Sequence, residues 1–331
     1  MPEISGGLIL VVLLILCAEF VNGWTDAPNA IATVISTRVL KPIPAVIIAS
    51  LLNLAGVLLA GTAVATTIGK GIVNPELVDL TTIGAAMLGI IIFSTVAWYF
   101  GLPTSESHAL VSGLAGAALA RGGVETLIWG GWQKVLLGLG FSTFLGFGCG
   151  FLLMVLIYKL FQHVRLGKIR SLFGRLQIGS AAFMAFSHGT NDGQKFIGVF
   201  TLALVLGGVL PEFKVPYSII FVCAAVMATG TIIGGWRIIR TMGFKLTKLE
   251  PVQGFAAETG AAATIELASR LGIPLSTTHT INTAIMGVGA TRRFSAVRWG
   301  VTVRIVTGWI LTFPCCAAIA FITTKIVMWF Q

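Results

Sequence analysis

The sequence predicts an all-α polytopic membrane protein built from two inverted repeats of about five helical segments each, with broken or re-entrant helices at the midplane. Three observations predict this fold. The composition is too apolar for a soluble protein, the apolar residues fall into ten blocks separated by short polar segments, and two polar motifs of the first half recur in the second.

The composition excludes an ordinary soluble protein. Hydrophobic residues make up 56% of the 331 and charged residues only 10%, whereas a soluble globular chain carries about 25% charged residues. Forty glycines are typical of helices that pack closely inside a membrane. The net charge of +10 indicates contact with anionic headgroups rather than nucleic acid, because the basic residues occur in short clusters between apolar segments.

Each half of the chain contains five apolar blocks of the length that crosses a bilayer. The blocks are 5–37, 43–69, 82–102, 103–121 and 132–160, followed by 176–210, 217–236, 254–273, 274–291 and 299–330. The longest basic stretch between two blocks divides the halves. We therefore predict a first repeat at 1–162, a basic cytoplasmic linker at 163–175 and a second repeat at 176–331, the two repeats together forming one transport unit.

Two motifs of the first half recur in the second. Residues 25–29, TDAPN, correspond to residues 191–195, NDGQK, which lie 166 positions later. Residues 103–108, PTSESH, correspond to residues 274–279, PLSTTH, which lie 171 positions later. Two motifs in the same order and at nearly the same offset indicate a duplicated unit.

The duplicated unit is predicted to be inverted in the membrane. Five crossings per unit is an odd number, so the second copy enters from the opposite side. The third and fourth blocks of each half, 82–121 and 254–291, are either re-entrant hairpins or full spans. With hairpins three crossings remain, and the inversion still holds.

The charges of the loops predict the orientation. With the amino terminus outside, 13 of the 22 basic residues fall in cytoplasmic loops and four in external loops. Basic residues are enriched on the cytoplasmic side of membrane proteins. The sequence therefore predicts a multi-pass protein of the cell membrane whose amino and carboxyl termini both lie on the extracytoplasmic side.

An aspartate interrupts each of two long apolar segments. Asp26 lies between Gly23 and Pro28, and Asp192 lies at the matching position of the second half. Proline removes a backbone donor and glycine weakens a helix, so we expect breaks near Pro28 and within residues 187–195. Broken backbone at membrane depth is tolerated where it is buried in protein or lines a cavity. Asp26 could instead cap a helix at the membrane interface, but its recurrence in the second repeat disfavours that alternative.

Hydroxyl-rich helix starts follow Pro103 and Pro274. Proline ends the preceding helix, and hydroxyl side chains cap the next one. The free N–H groups and the dipole at a helix start suit an oxyanion. Neutral donors at these starts are Ser105, Ser107, Ser276, Thr277 and Thr278. The other interpretation is a tight surface turn between two full spans, which the block lengths also permit.

Three ionisable side chains near these motifs are candidates for a proton or gating role. They are His108, His279 and Glu258. A histidine in such a turn is more often a structural polar residue, and both interpretations stay open. Glu106 is a further acidic candidate whose role the sequence does not resolve.

The motifs resemble the PiT family of inorganic phosphate transporters, which are cation-coupled permeases. The family's first signature, Gly-x-Asn-Asp-x-x-Asn-Ala, corresponds to residues 23–30, GWTDAPNA, with Thr25 in place of the usual asparagine and Pro28 as a less usual residue. The second signature corresponds to residues 188–195, HGTNDGQK, and residues 254–259, GFAAET, lead to the second hydroxyl-rich start. The resemblance covers nearly the whole chain.

This resemblance implies a secondary active transporter that imports inorganic phosphate, acts as a homodimer in the lipid bilayer and works by alternating access. We expect no enzymatic activity, no cofactor and no nucleic-acid partner.

The charge of phosphate predicts a coupling cation. Moving one charge against 100 mV costs about 2.3 kcal/mol, so a divalent phosphate entering a negative cell needs at least two cations for neutrality. We predict Na⁺ as the coupling ion, with H⁺ as the alternative. Hard oxygen ligands suit Na⁺, and its predicted ligands are Asp26, Asn29 and Asp192. The predicted phosphate-binding residues are Thr104, Ser105, Ser107, Asn191, Gln194, Lys195, Ser276, Thr277 and Thr278, of which Asn191, Gln194 and Lys195 could serve either ion.

Several alternatives stay open at this point. Proton-coupled or metal–phosphate-coupled symport and a sulfate permease of the same family use similar ligands. An intramembrane aspartyl protease with Asp26 and Asp192 as its dyad is a distant alternative, because the Gly-x-Gly-Asp element of such proteases is absent and the hydroxyl-rich starts would be unexplained. A passive channel suits paired, inverted sites less well than alternating access does.

Overall fold

The structure is a computed structural model that describes residues 5–330; the outermost residues of the two predicted repeats, 1–4 and 331, lie outside the described part. Within that part the chain folds into twelve α-helices joined by short turns, with one isolated β-bridge between Val73 and Leu127. The helices are α1 Gly6–Ser36, α2 Pro42–Leu59, α3 Ala63–Gly71, α4 Leu80–Tyr99, α5 Glu106–Gly122, α6 Trp129–Phe161, α7 Leu166–Leu206, α8 Tyr217–Ile233, α9 Trp236–Ile239, α10 Pro251–Arg270, α11 Thr277–Ala290 and α12 Trp299–Trp329.

Five of the described helices, α1, α2, α4, α6 and α12, are long and apolar enough to cross a membrane. A sixth candidate is α8 together with α9 and the π-helical segment Arg240–Lys245, which are joined through a bend of 60°. Large apolar side chains such as Phe144, which is 78% exposed, and Ile310, which is 66% exposed, cover the outside. The predicted all-α polytopic membrane fold is confirmed.

The first helices of the two repeats each pack against the second helix of the other repeat. Where α1 crosses α8, a Cβ atom on Gly23 would lie 2.3 Å from the carbonyl oxygen of Met227, and one on Gly230 would lie 2.3 Å from that of Phe20. Only glycine permits this approach from both sides. Small residues at the contact are the usual means by which helices associate in a membrane, where lipid is as apolar as the side chains.

The same contact recurs where α7 crosses α2. A Cβ atom on Gly189 would lie 2.3 Å from the carbonyl oxygen of Asn53, and one on Gly56 would lie 2.2 Å from that of Phe186. Gly189 follows Gly23 by 166 positions, the offset that relates the two aspartates. The duplication seen in the sequence is therefore also a duplication of the helix packing.

Each repeat contains a helical hairpin, formed by α4 with α5 and by α10 with α11. The hairpin turns hold glycine in the left-handed region, Gly101 with φ +66° and Gly272 with φ +67°, which favours a residue without a Cβ atom. The hydroxyl of Thr241 donates to the carbonyl of Gly101 at 2.8 Å, and that of Thr67 donates to the carbonyl of Gly272 at 2.8 Å. Each hairpin turn is thus held by the other repeat.

The two hairpins enter from opposite ends of the bundle. At one end, Arg121 at the close of α5 lies 2.9 Å from Asp79 at the start of α4, and α6 begins a few residues further along the chain. At the other end, Arg292 lies 2.7 Å from Glu250, beside a cavity lined by Tyr158 from the last turns of α6. The 33-residue α6 connects the two ends and the 31-residue α12 runs back, so the repeats are inverted.

The predicted break near Pro28 is wrong, because α1 continues through this residue as one helix. Likewise α7 runs unbroken through residues 187–195 and already begins at Leu166, inside the segment predicted as a linker. A single proline removes one backbone hydrogen bond, and inside a membrane groups on neighbouring helices can satisfy the carbonyl that is left free. The interruptions lie instead in the next block of each repeat, at Gly61 with φ +76° and at Gly234 with φ +63°.

Gly189→Ala is expected to lower the thermal stability of the purified protein, because the new methyl group would lie 2.3 Å from the Asn53 carbonyl oxygen. Overpacking of this kind costs about 1–3 kcal/mol. Gly179→Ala on the same helix is the matched control, since a Cβ atom there has no neighbour within 4 Å. The check is the melting midpoint in detergent, and equal midpoints for the two variants would contradict the packing of α2 against α7.

Candidate functional site

The two predicted aspartates lie together inside the bundle. Asp26 on α1 is 3% exposed and Asp192 on α7 is 1% exposed. One carboxylate oxygen of each and a ring nitrogen of His188 lie within 4.8 Å of one another. The two aspartates predicted as Na⁺ ligands therefore lie close together, even though neither helix breaks there.

The Asp26 side of this site contacts the hairpin of the second repeat. The hydroxyl of Thr278 donates to Asp26 Oδ1 at 3.1 Å. Asn29 Nδ2, one turn further along α1, donates to the hydroxyl oxygens of Thr278 at 2.9 Å and Thr277 at 3.3 Å. These four side chains connect the middle of α1 to the start of α11.

The Asp192 side contacts the same helix start. The Thr277 hydroxyl donates to Asp192 Oδ2 at 2.9 Å, and His188 Nε2 lies 3.2 Å from the same oxygen. The other ring nitrogen of His188, Nδ1, lies 3.0 Å from Asn53 Oδ1 on α2. The start of α11 therefore supplies a hydroxyl to each aspartate, since Thr278 contacts Asp26.

Lys195 is a buried cation at the centre of the site. Its side chain is 2% exposed. The ammonium donates to Asp192 Oδ1, to the hydroxyl oxygen of Ser107 and, at 3.0 Å, to the carbonyl oxygen of Leu275. An ammonium has three N–H groups, and these three acceptors account for all of them.

The two hairpin turns meet beside Lys195. The Ser107 hydroxyl donates to the Leu275 carbonyl at 2.9 Å, which joins the start of α5 to the turn before α11. Because the hairpins enter from opposite ends and their turns touch, both are re-entrant, and the alternative of surface turns between full spans does not hold. Irregular backbone here is buried in protein, as membrane depth requires.

Two of the predicted donors act as helix caps. Ser105 accepts from the backbone N–H of His108 at 3.2 Å, and Ser276 accepts from that of His279 at 3.1 Å. Thr104 lies in the turn before α5 and is 4% exposed. The hydroxyl-rich elements are therefore helix starts, as the sequence predicts.

The histidines that follow these caps lie among aromatic rings. The ring centroids of His108 and His279 are 4.5 Å apart. His279 stacks on Trp309 at 3.7 Å, and His108 lies 4.6 Å from Phe313, both on α12. The two rings thus join α5, α11 and α12 at one point, and their predicted proton role stays a prediction.

Glu258 and Glu106 are each held by hydroxyl groups. Glu258 accepts hydrogen bonds from Thr33, Ser180 and Gln177. These three donors come from α1 and α7.

Glu106 accepts from Thr25 at 2.9 Å and from Ser94 at 2.7 Å. Its role, open in the sequence, includes joining α1, α4 and α5 at the start of the first hairpin.

Two predicted phosphate ligands direct their hydrogen bonds to other helices. Gln194 Oε1 accepts from the backbone N–H groups of Val64 at 2.9 Å and Ala65 at 3.4 Å and so caps α3. Asn191 Nδ2 donates to the Ser269 hydroxyl on α10 at 2.9 Å. The first contact explains how a short helix can begin inside the bundle.

Three groups that contact the site were not predicted from the sequence: His188, Asn53 and the backbone carbonyl of Leu275. The spacing of His188, four residues before Asp192, could have indicated its role, because residues four apart share a helix face. Asn53 lies in an apolar block with no motif around it. The Leu275 carbonyl is a backbone group, so no pattern of side chains could indicate it.

The chain is similar to known phosphate transporters over most of its length. Residues 22–320 match the model of a family described as the phosphate transporter family. The chain is 46% identical over 315 residues to a "probable low-affinity inorganic phosphate transporter" of Rhizobium meliloti (strain 1021), covering 95% of this chain and 93% of the relative. It is 40% identical over 318 residues to a protein of the same description from Bacillus subtilis (strain 168), covering 94% and 95%.

A solved structure is also similar. It is described as "the sodium-dependent phosphate transporter" and superposes with a TM-score of 0.89 at 25% sequence identity. The match covers 99% of this chain and 100% of that one.

Gln194→Met is expected to loosen α3, because two backbone N–H groups lose their acceptor at a cost of about 1–3 kcal/mol. Amide hydrogen exchange across residues 63–71 should rise by about 5- to 150-fold, the equivalent of that free energy. Thr66→Val, on the exposed face of the same helix, is the control. Unchanged exchange in Gln194→Met together with lost phosphate binding would instead make Gln194 a phosphate ligand.

Proposed function

The chain belongs to the phosphate transporter family, and on that premise we propose that it imports inorganic phosphate by symport with Na⁺ through alternating access. One observation carries the proposal: a carboxylate from each repeat and hydroxyls from both re-entrant hairpins meet at a single buried place. The names of the relatives support phosphate as the substrate, and the name of the similar solved structure supports Na⁺.

Electrostatics require a cation beside the anion. An ionised Asp26 would repel phosphate bound beside it, and burial would strengthen this repulsion, whereas Asp192 is already paired with Lys195. A cation between carboxylate and phosphate removes this repulsion and makes each ion improve the binding of the other. It also offsets the cost of moving a divalent anion into a negative cell, about 2.3 kcal/mol per charge for each 100 mV.

The proposed Na⁺ ligands are Asp26, Asn29 and Asp192, assisted by the hydroxyls of Thr277 and Thr278. Carboxylate, amide and hydroxyl oxygens are the hard ligands that such cations prefer. The hydrogen bonds from both threonines to the aspartates support this grouping.

The proposed phosphate site lies between the starts of α5 and α11. Two helix starts directed at one place favour an anion. The hydroxyl groups proposed to bind it are those of Thr104, Ser105, Ser107, Ser276, Thr277 and Thr278. Gln194 and Asn191 are left out of this group, because their amides bond to α3 and α10.

Inverted repeats offer a physical route to alternating access. In an inverted pair the two repeats can exchange conformations, which opens the central site to one side and then to the other. The re-entrant hairpins, which enter from opposite ends, are the proposed gates. A threonine hydroxyl of the other repeat, Thr241 or Thr67, is one of the hydrogen-bond donors that hold each turn.

The proposed orientation places both termini outside a cell membrane. Arg292 and the cavity lined by Arg170 and Tyr158 share one end of the bundle, and the sequence puts the basic loops there. Basic residues favour the cytoplasmic side. The homodimer in the lipid bilayer, implied by the resemblance, stays a prediction.

A second candidate is the transport of a metal–phosphate complex. The nitrogen of His188 lies with the two carboxylate oxygens within 4.8 Å. A set of one imidazole and two carboxylates suits divalent transition metals better than Na⁺.

The closeness of Asp26 and Asp192 does not favour an aspartyl protease. Lys195, His188 and Thr277 already contact Asp192, and the relatives are described as transporters.

Asp26→Asn is expected to abolish Na⁺-driven phosphate uptake into proteoliposomes, because it removes the charge that holds the cation. Asp79→Asn is the matched control: Asp79 caps α4 at the periphery, where it accepts from the Thr82 N–H at 2.9 Å, and asparagine caps equally well. The melting midpoint checks that both variants are folded. Wild-type coupled uptake by Asp26→Asn would contradict the proposed cation site.

Replacing Na⁺ with choline is expected to reduce phosphate uptake to the level of protein-free liposomes, and an imposed pH gradient should not restore it. Excess sulfate should leave uptake unchanged, because sulfate cannot donate a hydrogen bond to a carboxylate. Uptake that requires Mn²⁺ or Mg²⁺ instead of Na⁺ would favour the metal–phosphate candidate. Uptake without any dependence on a cation gradient would indicate a channel.

A further inference from the structure

We propose that the Lys195 ammonium takes the place of a coupling cation in the second repeat. Because this cation is covalently attached, the chain carries one Na⁺ fewer per phosphate than it would with a neutral residue at position 195. This inference rests on the proposed symport and specifies its stoichiometry.

The repeat relates Lys195 to Asn29. Asp192 follows Asp26 by 166 positions, and Lys195 follows Asn29 by the same number. Each residue lies one turn after its aspartate on a continuous helix. The two repeats therefore have the same backbone here but differ by one positive charge.

The hydrogen bonds of Asn29 and Lys195 also correspond between the two repeats. Asn29 Nδ2 donates to the hydroxyl oxygen of Thr278, and Lys195 Nζ donates to that of Ser107. Thr278 follows Ser107 by 171 positions, the offset of the two hairpin motifs. On α1 and α7 alike, the residue one turn after the aspartate donates to a hydroxyl of the opposite repeat's hairpin, and the two hydroxyls occupy matching positions.

The groups around the ammonium are those of a hard cation site. Lys195 Nζ contacts a carboxylate oxygen of Asp192, a hydroxyl oxygen of Ser107 and the carbonyl oxygen of Leu275. A carboxylate, a hydroxyl and a carbonyl are ligands that alkali and alkaline-earth cations take. In the first repeat the corresponding groups are the Asp26 carboxylate and the Thr278 hydroxyl, and the residue that the hairpin offset pairs with Leu275 is Thr104.

The charge of Lys195 matters when the empty carrier returns without bound ions. Lys195 neutralises Asp192 whether or not a free ion is bound, because the ammonium is covalently attached. A buried carboxylate without a partner is costly, so Asp26 needs a bound cation or a proton, whereas Asp192 already has the Lys195 ammonium. The tethered charge also returns with the protein and is not carried across the membrane.

Direct binding of phosphate by Lys195 is the competing role. The three N–H groups of the ammonium already have three oxygen acceptors, and a phosphate ligand would have to displace one. The contacts therefore favour a counter-ion of Asp192 over an anion ligand.

The test is Lys195→Asn, which gives the second repeat the residue of the first, with Lys159→Asn on the exposed end of α6 as the control. In proteoliposomes with a fixed Na⁺ gradient, the phosphate gradient at which net flux reverses gives the number of Na⁺ ions per phosphate. We expect this number to rise by one in Lys195→Asn and to stay at the wild-type value in Lys159→Asn.

A second readout does not require transport. Because an ion that binds only the folded state raises the melting midpoint with its concentration, the midpoint of Lys195→Asn should increase more steeply with Na⁺ than that of the wild type. Lys195→Gln is measured in the same way in case the asparagine variant is too unstable to reconstitute.

The outcomes separate this inference from the proposed function. Wild-type uptake that ignores Na⁺ would refute the proposed symport. Na⁺-driven wild-type uptake with an unchanged Na⁺ ratio and an unchanged Na⁺ dependence of melting in the variants would overturn the tethered cation. A raised KM for phosphate with no additional Na⁺ effect would also overturn it and make Lys195 a phosphate ligand.

Discussion

The structure depends on the burial of two carboxylates inside an apolar bundle. Asp26 and Asp192 lie far from water, where an ionised group needs a partner or a bound ion. Two of the partners, the hydroxyls of Thr277 and Thr278 at the start of α11, come from a distant part of the chain. The other two, the imidazole of His188 and the ammonium of Lys195, lie on α7 within one turn of Asp192, and the ammonium also contacts α5. The two buried carboxylates therefore require α1 and α7 to cross between the hairpins. The rest of the fold brings the starts of α5 and α11 within hydrogen-bonding distance of them.

Glycine makes that assembly geometrically feasible. Lipid offers no hydrophobic gain for helix association, so contact must come from close packing and polar bonds. Gly23 and Gly189 each lie against a backbone carbonyl of the opposite repeat, within one turn of the aspartate on the same helix. The glycines that bring the helices together are thus neighbours in sequence of the aspartates proposed to bind ions, so one short motif would supply both functions.

The sequence predicted the architecture well and the local geometry less well. The recurrence of two motifs predicted the duplicated unit, and the residues of those motifs indicated the family. The helix break was predicted near Pro28, because proline removes a backbone donor and glycine weakens a helix. The actual breaks at Gly61 and Gly234 lie in apolar runs, where a glycine by itself is a weak signal among many. The Leu275 carbonyl could not be predicted, since its contact with Lys195 arises from tertiary structure alone.

The two repeats share a backbone but divide the chemistry unequally. The start of α11 contacts both aspartates, through Thr278 to Asp26 and Thr277 to Asp192, whereas Ser107 of the first hairpin reaches Asp192 only through Lys195. A movement of the second hairpin would therefore change the ligands of both carboxylates at once, and a movement of the first would change those of the ammonium. In the proposed alternating access, the symmetry of the helices would let the two halves exchange conformations, and the asymmetry of the side chains would make the two half-cycles chemically different.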